Sequence, residues 1–199
     1  MNNLDKYYNG FKTSLEMVKD RGYIVPDIYT KVNKNTLEYL IQNNNLYIYC
    51  TTEDKSKKIL VYFFKETKIK PNFIRGFIKK IFNNNFSDRD SVIFVCRDKI
   101  NTTLNKIEKE LNKSVKFMFL DSLQKNITKH KLVPKHSLAT DDEVQKIKAT
   151  YKLKSLTQLP LILKTDPIIQ YYGYPSGKVC KITRKSNTAI VYISYRYIK

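Results

Sequence analysis

The chain has 199 residues and a net charge of +19, because 37 Lys and Arg stand against only 18 Asp and Glu. With 42% hydrophobic residues, 15 Tyr and 10 Phe, it can form one large core or two small ones and is not expected to be disordered. Its longest apolar run, residues 59–64, is too short for a membrane span, and its first residues lack the basic-then-apolar order of a signal peptide, so we expect neither a membrane-spanning nor a secreted protein.

The first 64 residues predict two helices followed by a hairpin. Apolar residues recur at helical spacing before Gly22, which is suited to end a helix. A turn at Pro26-Asp27 then separates the two helices. The predicted elements are a helix over 4–18, a helix over 36–42 with Thr36 as its N-cap, and strands over 46–50 and 58–64 that form an antiparallel hairpin.

Strands and helices alternate from residue 58 onward, which favours a partly parallel sheet covered by helices, because parallel neighbours need crossover connections. A dinucleotide-binding domain has the same order of elements. However, no glycine lies between Phe77 and Tyr172, where the phosphate-binding turn of such a domain needs several, so this class is excluded. The further elements are a helix from Pro71 to Phe82, a strand over 91–96 and a strand over 115–120. Between these two strands, Thr102 or Thr103 can cap a helix that carries Leu104, Ile107 and Leu111.

The composition changes near residues 121–131, which predicts two domains, 1–123 and 124–199. Residues 1–123 carry 22 basic and 14 acidic side chains, whereas residues 124–199 carry 15 and 4. We expect an α+β fold, with a mixed sheet flanked by helices in the first domain and a small α+β second domain. Its predicted elements are a helix capped by Thr140 and opened by Asp141-Asp142-Glu143, a helix capped by Asp166 that starts at Pro167 and ends at Gly173, a turn over 175–177, and strands over 178–184 and 190–198.

Cysteines and histidines indicate neither a metal site nor a nucleophile. Cys50, Cys96 and Cys180 share no CxxC spacing and lie in apolar segments, so we expect buried reduced thiols. His130 and His136 are six residues apart without a nearby cysteine, which favours roles in turns over zinc binding. We expect no catalytic residues, no metal and no cofactor.

One enzymatic alternative is a magnesium-dependent nuclease. Glu66-x-Lys68 follows an apolar strand, and Asp27 precedes it by about forty residues, which gives two carboxylates and a lysine of the kind such enzymes use. In a lysine-rich chain this triplet also arises by chance, as Glu53-x-Lys55 illustrates. The nuclease therefore remains an alternative.

The positive charge makes nucleic acid a plausible partner, because lysines that contact phosphates release counterions. Lys79 and Lys80 lie opposite the apolar stripe of the helix that starts at Pro71 and are candidates for a face toward DNA. A solvated helix side is the alternative. Lys supplies 31 of the 37 basic residues, beside 17 Asn and 21 Ile, so part of the charge can reflect an AT-rich genome.

Several motifs in the second domain occur in the order found in one family. The domain closely resembles the fifth common subunit of eukaryotic RNA polymerases, whose C-terminal domain is shared with a smaller archaeal polymerase subunit. Asp20-Arg21-Gly22-Tyr23 and Val61-Tyr62-Phe63-Phe64 look like the N-terminal jaw domain of the eukaryotic subunit. The motifs of the second domain are His130-Lys131-Leu132-Val133-Pro134-Lys135-His136, Gln158-Leu159-Pro160, Thr165-Asp166-Pro167, Tyr171-Tyr172-Gly173, Gly177-Lys178-Val179-Cys180-Lys181-Ile182-Thr183-Arg184 and Tyr195-Arg196-Tyr197.

The resemblance implies a non-catalytic subunit of a DNA-directed RNA polymerase. It implies that the second domain docks on the largest subunit, which holds the active site, and that the first domain faces downstream duplex DNA as a jaw. A free-standing, sequence-independent DNA-binding protein is the runner-up. The residues implied for assembly are His130, Pro134, His136, Pro160, Asp166, Pro167, Tyr172, Gly173, Gly177, Arg184, Tyr195 and Arg196.

The chain departs from the family pattern at several positions. Leu161 stands where the family usually has Arg, Lys185 replaces a Pro and Asn187 replaces a Glu. A family loop appears only as Asn101-Thr102-Thr103, so no role near DNA is carried over to it. Divergence with AT-rich residue usage fits a large DNA virus, with the protein in the virion and host cytoplasm, or an AT-rich eukaryote, with the protein in the nucleus.

Overall fold

A computed structural model describes residues 3–66, 71–83, 86–87, 89–97, 102–110, 115–184 and 191–199. The chain divides into two compact units, Met1–Lys125 and Asn126–Lys199. Lys68, Asn101, Lys185 and Asn187, on which some predictions fall, lie outside the described residues, as do the predicted ends at 111 and 190. None of the helices in the described ranges has the length and apolarity that a membrane crossing requires.

The first unit is a four-stranded sheet flanked by helices. Its elements are α1 Asn3–Asp20, α2 Asp27–Thr30, α3 Lys34–Gln42, β1 Tyr47–Thr51, β2 Lys58–Phe63, α4 Pro71–Asn83, β3 Ser91–Cys96, α5 Thr102–Glu110 and β4 Val115–Phe119. A short 3-10 helix, Leu120–Leu123, follows the last strand. The strand order is β1-β2-β3-β4, with β1 antiparallel to β2 and the remaining pairs parallel, which confirms the predicted mixed sheet.

The ends of the first helices show which local predictions hold. Gly22 has φ +87°, and the N–H groups of Gly22 and Tyr23 bond the carbonyls of Lys19 and Val18, so α1 ends in a Schellman motif as its glycine predicts. The prediction of Thr36 as an N-cap is wrong. The cap is Asn33, whose side-chain oxygen accepts the N–H of Thr36 at 2.8 Å, so α3 begins two residues earlier.

The core of the first unit lies on both faces of the central strand. Residues 92–96 of β3 are all buried, as expected for a parallel strand covered by helices on both sides. One face packs against Ile74 and Ile78 of α4, and on the other side of the sheet Phe11 of α1 lies 6.1 Å from Phe63, ring centre to ring centre. A Cβ placed on Gly10 would stand 2.6 Å from a methyl carbon of Leu120, so a glycine allows α1 to approach the 3-10 helix closely.

The second unit is a smaller sheet with two helices. Its elements are β5 Lys135–Leu138, α6 Asp141–Thr150, β6 Leu161–Ile162, α7 Pro167–Tyr172, β7 Val179–Arg184 and β8 Tyr192–Ile198, with 3-10 helices Ile127–Lys129 and Leu156–Gln158. The strand order is β5-β7-β8-β6, in which β7 is antiparallel to both neighbours and β6 is parallel to β8. Two of these strands, β5 and β6, were not predicted from the sequence.

The predicted caps of the second unit are confirmed. Thr140 and Glu143 form a capping box at the start of α6, in which each side chain accepts the backbone N–H of the other residue. Asp166 caps α7, and Pro167 is its first residue. All three cysteines are buried and free, as the sequence predicts.

Candidate functional site

Four of the residues implied for assembly converge on one pocket in the second unit. His136 of β5, Asp166 at the start of α7, Arg184 at the end of β7 and Arg196 of β8 line a cavity of about 370 Å³. Sheet pairing brings them together, because β7 lies between β5 and β8 in the strand order. The pocket is completed by Leu161, Ile162, Leu163, Thr165 and Ile182.

The charged groups of this pocket leave it positive. The carboxylate of Asp166 accepts the N–H groups of Ile168 at 2.9 Å and Ile169 at 3.4 Å, so it is engaged at the N-terminus of α7. Arg196 donates from Nη1 to the carbonyl oxygen of Leu161 at 3.1 Å, and both Arg196 and Arg184 are exposed. Two guanidinium groups beside one engaged carboxylate suit a carboxylate or carbonyl-rich ligand.

Exposed leucines lie on the rim of the same pocket. The side chains of Leu161 and Leu163 are 43% and 58% exposed, which combines apolar surface with the guanidinium groups. Leu163 was not among the predicted site residues, because it has neither a charge nor a spacing that marks it in the sequence. Thr165 was quoted only as the first residue of the Thr165-Asp166-Pro167 motif and was not among the residues implied for assembly. Leu161 was noted only as a departure from the family pattern.

The two histidines take part in their own turns. Nδ1 of His130 accepts the N–H of Leu132 at 3.3 Å, and Nδ1 of His136 lies 2.8 Å from the carbonyl oxygen of Pro134, which makes it the donor. Only His136 reaches the pocket, whereas His130 is exposed outside it. Among the residues that the structure describes, no three His, Cys, Asp or Glu side chains lie together as possible metal ligands.

Gly173 and Tyr172 fix the end of α7. Gly173 has φ +69°, and the N–H groups of Gly173 and Tyr174 bond the carbonyls of Gln170 and Ile169 in a second Schellman motif. The rings of Tyr172 and Tyr174 are stacked, with centres 5.1 Å apart. Burial raises the pKa of Tyr174 to about 12, so its hydroxyl stays protonated at neutral pH.

Three other residues implied for assembly, Pro160, Gly177 and Tyr195, support the sheet and do not line the pocket. The carbonyl of Pro160 accepts the N–H of Tyr197, and the N–H of Gly177 bonds the carbonyl of Ile198, both at 2.9 Å. Tyr195 packs against the small core around Ile147. These residues therefore have a structural role in the second unit, whether or not they also contact a partner.

The basic pair of Lys79 and Lys80 is a separate candidate and belongs to the first unit. Both side chains are exposed on α4, while Ile78 of the same helix is buried, so the two lysines lie opposite the buried side of the helix, as predicted. Arg75 of this helix is 3.0 Å from the carboxylate of Glu110 and is therefore partly neutralised. No described contact connects Glu66 with Asp27, and Lys68 lies outside the described residues.

Comparisons with known proteins agree with the motif resemblance. Residues 125–198 match the family model described as RNA polymerase Rpb5, C-terminal domain, and residues 1–81 match the N-terminal domain of the same family. Subunit rpabc1 of DNA-directed RNA polymerases I, II and III of Dictyostelium discoideum is 33% identical over 93% of both chains. The corresponding subunit of Caenorhabditis briggsae is 34% identical, over 94% of this chain and 92% of the relative.

A more distant relative extends the comparison to plants. Subunit 5B of DNA-directed RNA polymerases IV and V of Arabidopsis thaliana is 28% identical over 97% of this chain and 89% of the relative. Both family models together cover most of the chain, and each of these relatives matches at least 93% of it. These findings confirm the prediction of a non-catalytic polymerase subunit. The chain belongs to the Rpb5 family of RNA polymerase subunits.

Proposed function

We propose that this chain is an assembly and jaw subunit of a multisubunit RNA polymerase. The second unit binds the largest subunit, and the first unit faces downstream duplex DNA during transcription. The observation that carries the docking proposal is the pocket where His136, Asp166, Arg184 and Arg196 meet, because four separate motifs supply these residues to one exposed surface.

The chemistry of the pocket supports a protein partner. Exposed Leu161 and Leu163 provide apolar contact area, and Arg184 and Arg196 can each bond two oxygens of a carboxylate at once. Residues 124–199 carry 15 basic and 4 acidic side chains, so an acidic segment of the largest subunit would be attracted.

The jaw proposal rests on charge without base-reading groups. A polymerase must hold any sequence, and contacts to phosphates through lysines such as Lys79 and Lys80 provide affinity without sequence information. We expect the protein in the nucleus if the gene is cellular, and in the virion and host cytoplasm if it is viral.

Co-purification with the polymerase tests the docking proposal. Tagged wild-type protein should recover the two largest subunits, and Arg184→Glu and Leu163→Asp should each reduce that recovery severalfold. Lys154→Glu and Tyr151→Asp are matched controls, because both side chains are exposed in the same unit and lie outside the pocket. Equal recovery by all four variants would mean that this pocket is not the docking surface.

The same purification distinguishes the two alternatives. A free-standing DNA-binding protein would be recovered without large polymerase subunits. A nuclease would cut plasmid DNA in the presence of Mg²⁺, and Glu66→Ala or Lys68→Ala would abolish the cutting. We expect no cleavage by the purified protein and normal transcription with either substitution.

A further inference from the structure

A second cavity lies in the first unit, and no residue of the quoted motifs lines it. It measures about 500 Å³ and opens between α1, α2, α3 and β1. Its walls are largely apolar and include Phe11, Ile28, Tyr29, Leu40 and Tyr47. Ile28 is 72% exposed and Tyr47 is 46% exposed, so the cavity opens to an apolar surface that the described residues do not cover.

The cavity lies next to the open edge of the sheet. β1 is the outermost strand, with β2 on one side and no described strand on the other. The N–H of Phe63 bonds the carbonyl of Leu46, so residues 46, 48 and 50 direct their backbone groups toward β2. The alternation directs the N–H and C=O of Tyr47 away from β2.

Other residues already occupy the far half of this edge. The hydroxyl of Tyr29 accepts the N–H of Tyr49 at 3.0 Å, and the N–H of Ile24 bonds the carbonyl of Thr51 at 2.9 Å. Tyr47 is therefore the position at which another chain can pair with β1. It also lines the cavity, so one extended segment could use both features.

We propose that an extended acidic peptide of a protein partner pairs with β1 at Tyr47 and inserts a large apolar side chain into the cavity. An extended segment is required because only a strand can take up the outward N–H and C=O of Tyr47 together. The peptide residue opposite Tyr47 exchanges both hydrogen bonds, and its neighbour points to the opposite face. On that face of the sheet Ile48 is buried and Phe11 of α1 packs against Phe63. Phe11 also lines the cavity, so the neighbouring side chain of the peptide points toward it.

The charge at the cavity indicates the acidic character of the peptide. Among the described residues, Lys31 contributes a positive charge to the cavity lining and no carboxylate lines the cavity. A carboxylate beside the apolar anchor would meet this lysine. The whole chain, at +19, would also attract an acidic segment over longer range.

Labelled peptides test the proposal on the full-length chain. The probe is fluorescein-labelled Asp-Glu-Val-Phe-Val-Glu-Asp, followed by fluorescence anisotropy. If Phe enters the cavity, one of the two valines lies opposite Tyr47 and exchanges both hydrogen bonds with it. Methylating both valine nitrogens should then weaken binding about fivefold or more, whereas methylating the Phe nitrogen, which points away from β1, should change it less than about twofold. Replacing the four acidic residues with Lys should also weaken binding.

Variants of the chain test the apolar contact and the charge of the cavity separately. Ile28→Asp should weaken binding about tenfold or more, because it removes apolar contact area, and Tyr39→Asp is the control, since Tyr39 is 67% exposed on α3 and does not line the cavity. Lys31→Glu should weaken binding severalfold in a salt-dependent manner, whereas Lys57→Glu should not. These exposed substitutions leave the core unchanged.

Three results would overturn the proposal. Binding that responds equally to both methylation patterns would show that no strand pairs at Tyr47, and binding unaffected by Ile28→Asp would show that the cavity is not used. The third result is a dimer in analytical ultracentrifugation that Tyr47→Pro separates, because the edge of β1 would then be taken by a second copy of the chain.

Discussion

Asp90 accepts the backbone N–H of Lys58 at 2.7 Å and thereby connects the loop before β3 to the first residue of β2. The side chain of Asp90 is only 3% exposed. The backbone N–H and the hydroxyl of Ser87 donate to its other oxygen, at 2.7 and 3.0 Å. This buried carboxylate fixes where the two parallel strands begin relative to each other.

Asp90→Ala should lower the free energy of unfolding by about 1–3 kcal/mol, because it leaves the partly buried backbone N–H groups of Lys58 and Ser87 without their acceptor. Urea unfolding followed by circular dichroism measures the change. Glu53→Ala, at an exposed position in the β1–β2 hairpin, is the control and should have little effect. Equal stability of the two variants would show that Asp90 does not hold this register.

The first unit could be predicted closely because its elements have dense local patterns. Apolar spacing marks α1 and α4, and the strands β2 and β3 are continuous apolar runs between polar segments. The wrong cap of α3 has a local cause. Asn33 and Thr36 are both good capping residues three positions apart, and only the backbone geometry decides which one caps.

The missed strands β5 and β6 have no such pattern. Lys135–Leu138 mixes polar and apolar residues, and Leu161–Ile162 is two residues long. Their strand conformation is set by partners distant in sequence, since His136 pairs with Ile182 and Leu161 pairs with Tyr197. The pocket depends on these pairings, so the motifs could name Arg184 and Arg196 but not the leucines beside them.

The same substitution should have opposite effects at two glycines. Gly173 has φ +69°, so Gly173→Ala should destabilise the chain by about 1 kcal/mol. Gly76 lies inside α4 with nothing within 4 Å of an added Cβ, so Gly76→Ala should stabilise it by about 0.5–1 kcal/mol. Thermal unfolding of both variants checks the signs, and a loss of stability at both positions would contradict this account of Gly76.

The ion pair between Glu143 and Lys181 predicts how stability depends on pH. The hydrogen bond from Lys181 and the N–H of Thr140 lower the pKa of Glu143, and the bond to Glu143 raises the pKa of Lys181. The contribution of Glu143 is present above its unfolded pKa, about 4.3, and is lost as the pH falls through its lower folded pKa. That of Lys181 is present below its unfolded pKa, about 10.4, and is lost as the pH rises through its higher folded pKa.

Wild-type protein and Glu143→Gln should therefore differ most in stability between about pH 5 and 10 and converge in acid. Urea unfolding at several pH values measures the difference. Because the pair is only partly buried, added salt should reduce it. A difference that persists unchanged at pH 2 would mean that packing, and not the charge of Glu143, is responsible.

Contact with downstream DNA through phosphates predicts weak, sequence-independent binding that depends strongly on salt. Lys79 and Lys80 are exposed on α4, opposite its buried face, and are the first candidates for these contacts. Each lost phosphate contact should reduce the slope of log affinity against log salt by about 0.9, so converting both to Glu should reduce it by up to about 1.8.

Converting the exposed Lys19 and Lys57 to Glu changes the net charge equally and serves as the control. Incorporation into the polymerase should stay normal in both double variants, because all four lysines belong to the first unit and the proposed docking surface belongs to the second. If the Lys79 and Lys80 variant keeps the wild-type affinity and salt slope, the helix merely carries solvated charge and α4 is not the face toward DNA.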